Sequence, residues 1–129
     1  EESGRDKAVE FAKKAVERND SDPLALICLS ALYGQAGDLD SVIGLLSKHE
    51  AKMTGDVRLA NNYFEALFQR RQIDKVTKLL NALAGSQNRE VKQFAIERSR
   101  AVAQYLQQQQ QQLAAGGAGG AAAPGLLKR

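Results

Sequence analysis

Tryptophan is absent from this 129-residue chain, cysteine, histidine and methionine occur once each, and proline occurs twice. The single cysteine, Cys28, excludes an internal disulfide framework and a cysteine-rich zinc site, so the compartment is either reducing or indifferent. No apolar run approaches the roughly 18 residues of a membrane-spanning helix, and no basic, apolar and small-residue series marks a signal peptide. No membrane insertion is expected, and the chain reads as soluble and intracellular, with cytoplasm and organelle matrix left undistinguished. Its 43% hydrophobic and 26% charged residues are the content of one small domain, too short for two cores.

A net charge of +3 conceals an asymmetry. Glu1 to Phe68 carries 8 Lys and Arg against 12 Asp and Glu, net −4, whereas Gln69 to Arg100 carries 8 against 3, net +5. An acidic half beside a basic half implies polar partners on two surfaces, with nucleic acid or an acidic peptide as candidates for the basic one; the alternative is an ordinary solvated helix face.

Composition changes after Tyr105. The glutamines from Gln107 to Gln112 lead into an Ala/Gly-rich stretch with few side chains able to build a core. We divide the chain into a helical segment, 1–109, and a flexible tail, 110–129. The tail's glycine pairs at 116–117 and 119–120 are expected to end any helix entering it, and Leu126 and Leu127 beside Lys128 and Arg129 read as ordinary tail residues rather than a docking motif.

The helical segment repeats itself. Asp6-Lys-Ala-Val9, Asp40-Ser-Val-Ile43 and Asp74-Lys-Val-Thr77 align at a step of 34 residues. Ala12, Leu46 and Leu80 share the step, as do the pairs Leu29 and Tyr63, Tyr33 and Leu67, and Leu39 and Ile73. Small and apolar residues recurring in this way are those that stacked helix pairs bury against their neighbours.

Within each unit the apolar spacing is three and four, as in Leu26, Leu29, Leu32 and Tyr33 or Val42, Ile43, Leu45 and Leu46, so the elements are helices and no strand is expected. Asp22-Pro23, Gly37-Asp38, Gly55-Asp56 and Gly85-Ser86 supply stop and start signals. Six helices are predicted, over 5–18, 23–36, 39–53, 57–70, 73–84 and 88–108, paired as antiparallel hairpins.

Leu29-Ser-Ala-Leu-Tyr33-Gly-Gln-Ala-Gly37-Asp-Leu-Asp-Ser-Val42, with Leu29, Tyr33 and Gly37 on signature positions, resembles a tetratricopeptide repeat, and the resemblance extends over residues 5 to about 84. It implies an all-α, right-handed α-solenoid of helix hairpins closed by a capping helix from residue 88. The sequence departs from the pattern at Leu26 and Ala60, where a Trp-like residue is usual, at Arg71, which replaces the loop glycine, and at Val42 and Val76, usually Ala. Asp56 to Leu80 is also similar to a pentatricopeptide repeat, a family that binds single-stranded RNA, and there Asn61 would lie near a base-reading position. The 34-residue step favours the tetratricopeptide reading. By that resemblance the first helix is the second half of a repeat, so the chain is expected to be an ordered piece of a longer protein or a subunit whose open N-terminal face packs on a partner.

The resemblance also places a concave binding face on Leu24, Ile27, Ala31 and Gln35 of one repeat, on Arg58, Asn61, Asn62, Glu65 and Gln69 of the next, and on Lys92 of the last helix. Tetratricopeptide domains that clamp a C-terminal carboxylate use a Lys and two Asn; here Ile27 and Ala31 stand at corresponding positions and Asn62 alone matches, so that activity is not expected. A mixed groove suits an extended peptide or another subunit.

Catalytic chemistry has no constellation. His49 stands without a second metal ligand at suitable spacing and reads as a helix-end or packing residue. Cys28, between Ile27 and Leu29, reads as a small hydrophobe. Neither cofactor nor small-molecule substrate is expected. Arg70, Arg71, Lys75 and Lys78, followed by Arg89, Lys92, Arg98 and Arg100, would contact phosphates if they converge, whereas Phe64, Phe68 and Phe94 fit apolar stripes better than base-stacking platforms. The expectation is therefore a non-catalytic protein-protein scaffold or adaptor in a multisubunit assembly, with a pentatricopeptide-like RNA-binding protein as its competitor.

Overall fold

A computed structural model of the chain describes residues 2–19 and 22–118. All regular structure among them is helical: α1 (Glu2–Arg18), α2 (Pro23–Gln35), α3 (Leu39–Leu46), a 3₁₀ segment (Ser47–Gly55), α4 (Val57–Gln69), α5 (Ile73–Ala84) and α6 (Arg89–Ala118). Two compact units follow the chain, Glu1–Ala95 and Ile96–Arg129, the described part of the second being the remainder of α6. In the first unit α2 packs on α1, α3 and α4, and α4 packs on α3, α5 and the 3₁₀ segment.

Helix starts follow from side-chain chemistry. The Asp22 carboxylate accepts from the Leu24 N–H at 3.0 Å, with Pro23 in the first turn where no N–H is needed. Thirty-four residues on, Asp56 repeats the cap by accepting from the Arg58 N–H at 2.9 Å. Asp38 accepts from both the Ser41 N–H and its hydroxyl, at 3.1 and 2.6 Å. Those two bonds, the hydroxyl first, hold its carboxyl below the usual carboxylate range.

The turns repeat as well. Gly37 and Arg71, one step apart, both lie in the left-handed region, at φ 77° and 58°. Gly37 N–H bonds to Gly34 O at 3.0 Å and Asp38 N–H to Tyr33 O at 2.9 Å; Arg71 N–H bonds to Phe68 O at 2.9 Å and Gln72 N–H to Leu67 O at 3.0 Å. The core keeps the same step: Ala12, Leu46 and Leu80 are buried, as are Leu26 with Ala60, Leu29 with Tyr63, and Val42 with Val76. On α1 the step fails, because Ala8 is exposed where Val42 and Val76 are buried, and Phe11 is 76% exposed where Leu79 is buried.

Three expectations are corrected. The helix predicted over 39–53 ends at Leu46 and continues as a 3₁₀ segment broken at His49 (φ −130°, ψ 33°). Ser47 and Thr54 turn their hydroxyls back onto the carbonyls of Gly44 and Ala51, both at 3.2 Å, and the tighter winding brings Met53 fully into the core. The last helix runs ten residues past 108 to Ala118, into the predicted tail and through the glycine pair 116–117 expected to end it; glutamine, leucine and alanine sustain it that far. It begins on Asn88, whose Oδ1 accepts from the Val91 N–H at 3.1 Å, while the Ser86 hydroxyl accepts from the Asn88 N–H at 2.9 Å and donates to Thr54 O at 2.6 Å. Third, Cys28 is exposed: α2 is apolar nearly all round, so its sequence does not reveal which side faces Leu26 and Leu29 in the core. Leu126 and Leu127 lie outside the described residues.

Candidate functional site

Between α2, α3 and α4 runs an open groove of about 490 Å³. Ala31, Gly34 and Gln35 line it from α2, Asn62, Glu65 and Gln69 from α4, and Leu39 and Val42 from α3. It exists because α2 places small residues where a large side chain would close the gap; a Cβ added at Gly34 would meet nothing within 4 Å. The walls are held by a polar link: Asn62 Nδ2 donates to Ser30 Oγ at 2.9 Å, and Ser30 Oγ donates to Ile27 O at 3.1 Å. Asn62 Oδ1 takes no part in that link. Sequence reasoning missed Ser30, and its one signal was a lone serine among the apolar residues of α2.

The groove gathers five of the ten predicted face residues: Ala31, Gln35, Asn62, Glu65 and Gln69. The other five lie elsewhere. Ile27 is half-buried beneath the Ser30 hydroxyl. Arg58 is exposed and engages its own cap, with Nη2 3.0 Å from Asp56 Oδ2; the bond lowers the Asp56 pKa and raises that of Arg58. Asn61 is half-buried, with a buried Oδ1 that has no hydrogen-bond partner among the described residues. Lys92 is exposed on α6. Leu24, also predicted for this face, is exposed and is not among the lining residues.

The basic quartet is divided. Arg70 reaches back to α3, with Nε 3.1 Å from Asp40 Oδ1. Arg71 folds onto its own turn, donating from Nη1 to Phe68 O at 2.8 Å with its guanidinium 5.0 Å from the Phe68 ring centre. Lys75 and Lys78 instead border a second cavity of about 180 Å³, lined also by Met53, Leu79 and Ala82. There the Tyr63 hydroxyl donates to Glu50 Oε2 at 2.8 Å, and burial, then that bond, push its pKa up. No signal in the sequence foretold this cavity, which depends on the 3₁₀ winding. Phe64 stacks on Phe68 and meets Phe94 edge-on, each at 5.7 Å, with Phe64 and Phe94 buried, so these two rings belong to the core.

Among the described residues no group of three or more His, Cys, Asp and Glu could hold a metal ion, and no helix is long and apolar enough to cross a membrane. Compared with protein-family models, curated proteins and solved structures, the chain matches none of them.

Proposed function

We propose that this chain is a tetratricopeptide-like segment, a right-handed solenoid of antiparallel helix hairpins, acting as a non-catalytic scaffold or adaptor within a larger assembly and gripping an extended stretch of a protein partner between α2, α3 and α4. The observation that carries this reading is the groove itself, about 490 Å³ and open, with amide side chains from two facing helices. Gln35, Asn62 and Gln69 each offer a donor and an acceptor, which suits the alternating N–H and C=O groups of an extended backbone. The recurrence of caps, turns and buried positions at 34 residues supports the repeat reading. The exposed Phe11 side of α1, set where Leu45 is half-buried and Leu79 buried in the later units, supports a further packed element on that face.

The competing RNA-binding reading draws on Lys75 and Lys78, which carry no ion pair among the described residues. Arg70 and Arg71 are engaged within the chain, so the four do not form one phosphate-binding row.

Affinity capture of the full-length protein from its native lysate, with and without ribonuclease and alongside Ala31→Trp, tests both readings. A stoichiometric protein partner that survives ribonuclease and is lost on filling the groove with Trp is the expected result. Retention of the same partner by Ala31→Trp would overturn the groove. Recovery of RNA, with every protein partner lost after ribonuclease, would replace the scaffold reading with the RNA-binding one.

A further inference from the structure

We infer that the groove selects a peptide presenting a lysine or arginine side chain, and that Glu65 is the residue that reads it; this rests on the groove being a peptide site. Among the described residues Glu65 is the only charged side chain lining the groove and makes no ion pair, and it is half-buried. A partly desolvated carboxylate without a counterion gains more from an arriving cation than a fully hydrated one does. The cation nearest in sequence, Arg70, does not supply that charge, because its guanidinium is held 3.1 Å from Asp40.

Space and field agree. Opposite Glu65, Ala31 and Gly34 leave room for an aliphatic stem, so a Lys or Arg can lay its methylenes along α2 while its head reaches the carboxylate. All of the groove's lining except Gln69 comes from the acidic half of the chain, Glu1 to Phe68 at net −4, and Glu65 is its one charge, which favours approach of a basic side chain. This polarity is the reverse of a site for an acidic peptide or a terminal carboxylate, which would meet Glu65 with like charge.

The test uses the full chain and a positional-scanning library of N-acetylated, C-amidated octapeptides, followed by fluorescence anisotropy on the best binder. Lys or Arg is expected at one dominant position. Changing that residue to norleucine should weaken binding about fivefold to tenfold, Glu65→Gln should do the same, and the two changes together should cost no more than either alone. Glu65→Lys should turn the preference toward Glu or Asp. Thermal melts of each variant separate a folding defect from a binding one. Peptides that bind and are blocked by Ala31→Trp, yet show no basic preference or keep it in Glu65→Gln, would overturn the role of Glu65 while leaving the groove standing. If no octapeptide binds, or Ala31→Trp blocks none, the peptide groove falls and this inference with it.

Discussion

Gly37 and Arg71 occupy equivalent turns with the same left-handed backbone, one with no side chain and the other with a long one. A residue with a Cβ pays about 1–2 kcal/mol to sit there, partly offset by about 0.5–1 kcal/mol because it has less freedom to lose than glycine on folding. At Gly37 an added Cβ meets nothing within 4 Å, so the backbone term acts alone. Gly37→Ala should therefore destabilise by about 1 kcal/mol, a fall of roughly 5 °C in Tm for a domain of this size, and Gly37→Asn by about half of that. Arg71 is held by its bond to Phe68 O and its guanidinium over the Phe68 ring, each contributing about 0.5–1 kcal/mol at an exposed site. Arg71→Gly relieves the strain but loses both contacts, and should fall within about 0.5 kcal/mol of wild type; Arg71→Ala keeps the strain, loses the contacts and should cost about 1 kcal/mol. Thermal melts followed by circular dichroism measure all four variants. A Gly37→Ala variant that melts with wild type, or an Arg71→Gly variant that loses more than Gly37→Ala does, would refute the reasoning.

Leu46, fully buried and central to the repeated core set, should cost about 2–5 kcal/mol when changed to Ala, seen as a lower denaturant midpoint; a loss below about 1 kcal/mol would mean its surroundings collapse freely. Tyr63→Phe removes the O–H donated to Glu50 and should cost about 1 kcal/mol in the same assay, whereas an unchanged midpoint would mean that bond adds nothing net. Asp38 and Asp56 have carboxyls held below their usual range, by the Ser41 hydroxyl and by the Arg58 side chain respectively. Because the folded values lie below the unfolded ones, the stability these groups add is present above about pH 5 and is lost as pH falls through the lowered values. The doubly substituted Asp38→Asn, Asp56→Asn protein should then lose less stability than wild type between about pH 5 and 2; identical pH profiles would contradict the assignment.

The repeating part of this molecule was legible in its sequence because each repeated element rests on local chemistry. An aspartate two residues before a first-turn amide makes a cap at Asp22 and again at Asp56, and a 34-residue step puts Leu46 and Leu80 in equivalent places whatever lies between them. The segment after Leu46 was not legible. Its helical spacing is sound, but tertiary demands from Met53 and from Glu50 against Tyr63 override the local preference and tighten the chain into a 3₁₀ path. The face of α2 was hidden for another reason: in a helix apolar on every side, periodicity carries no direction, so Cys28 reads as core and lies in solvent. Of the face the resemblance predicted, Ala31, Gln35, Asn62, Glu65 and Gln69 line one groove. Arg58 was misplaced because its contact with Asp56 is made two residues away in the chain and leaves no mark on the pattern.

The groove also follows from where the repeat is kept and where it is broken. Gln35 and Gln69 are one step apart, and both line the groove, so the same position on α2 and α4 contributes an amide to each wall. Ala31 and Glu65 are one step apart too, and there the repeat changes character, with a methyl on one wall and a carboxylate on the other. Ile27 and Asn61, a third pair, differ again and neither lines it. Repetition supplies two facing helices at a fixed spacing; it gives them no preference for one ligand, because identical walls would present identical groups. Preference has to come from positions where equivalent residues differ, and in this groove the one difference that involves charge is Ala31 against Glu65. On the proposed reading, that asymmetry gives selectivity to the single carboxylate of Glu65, while backbone contacts are shared among the amides of Gln35, Asn62 and Gln69.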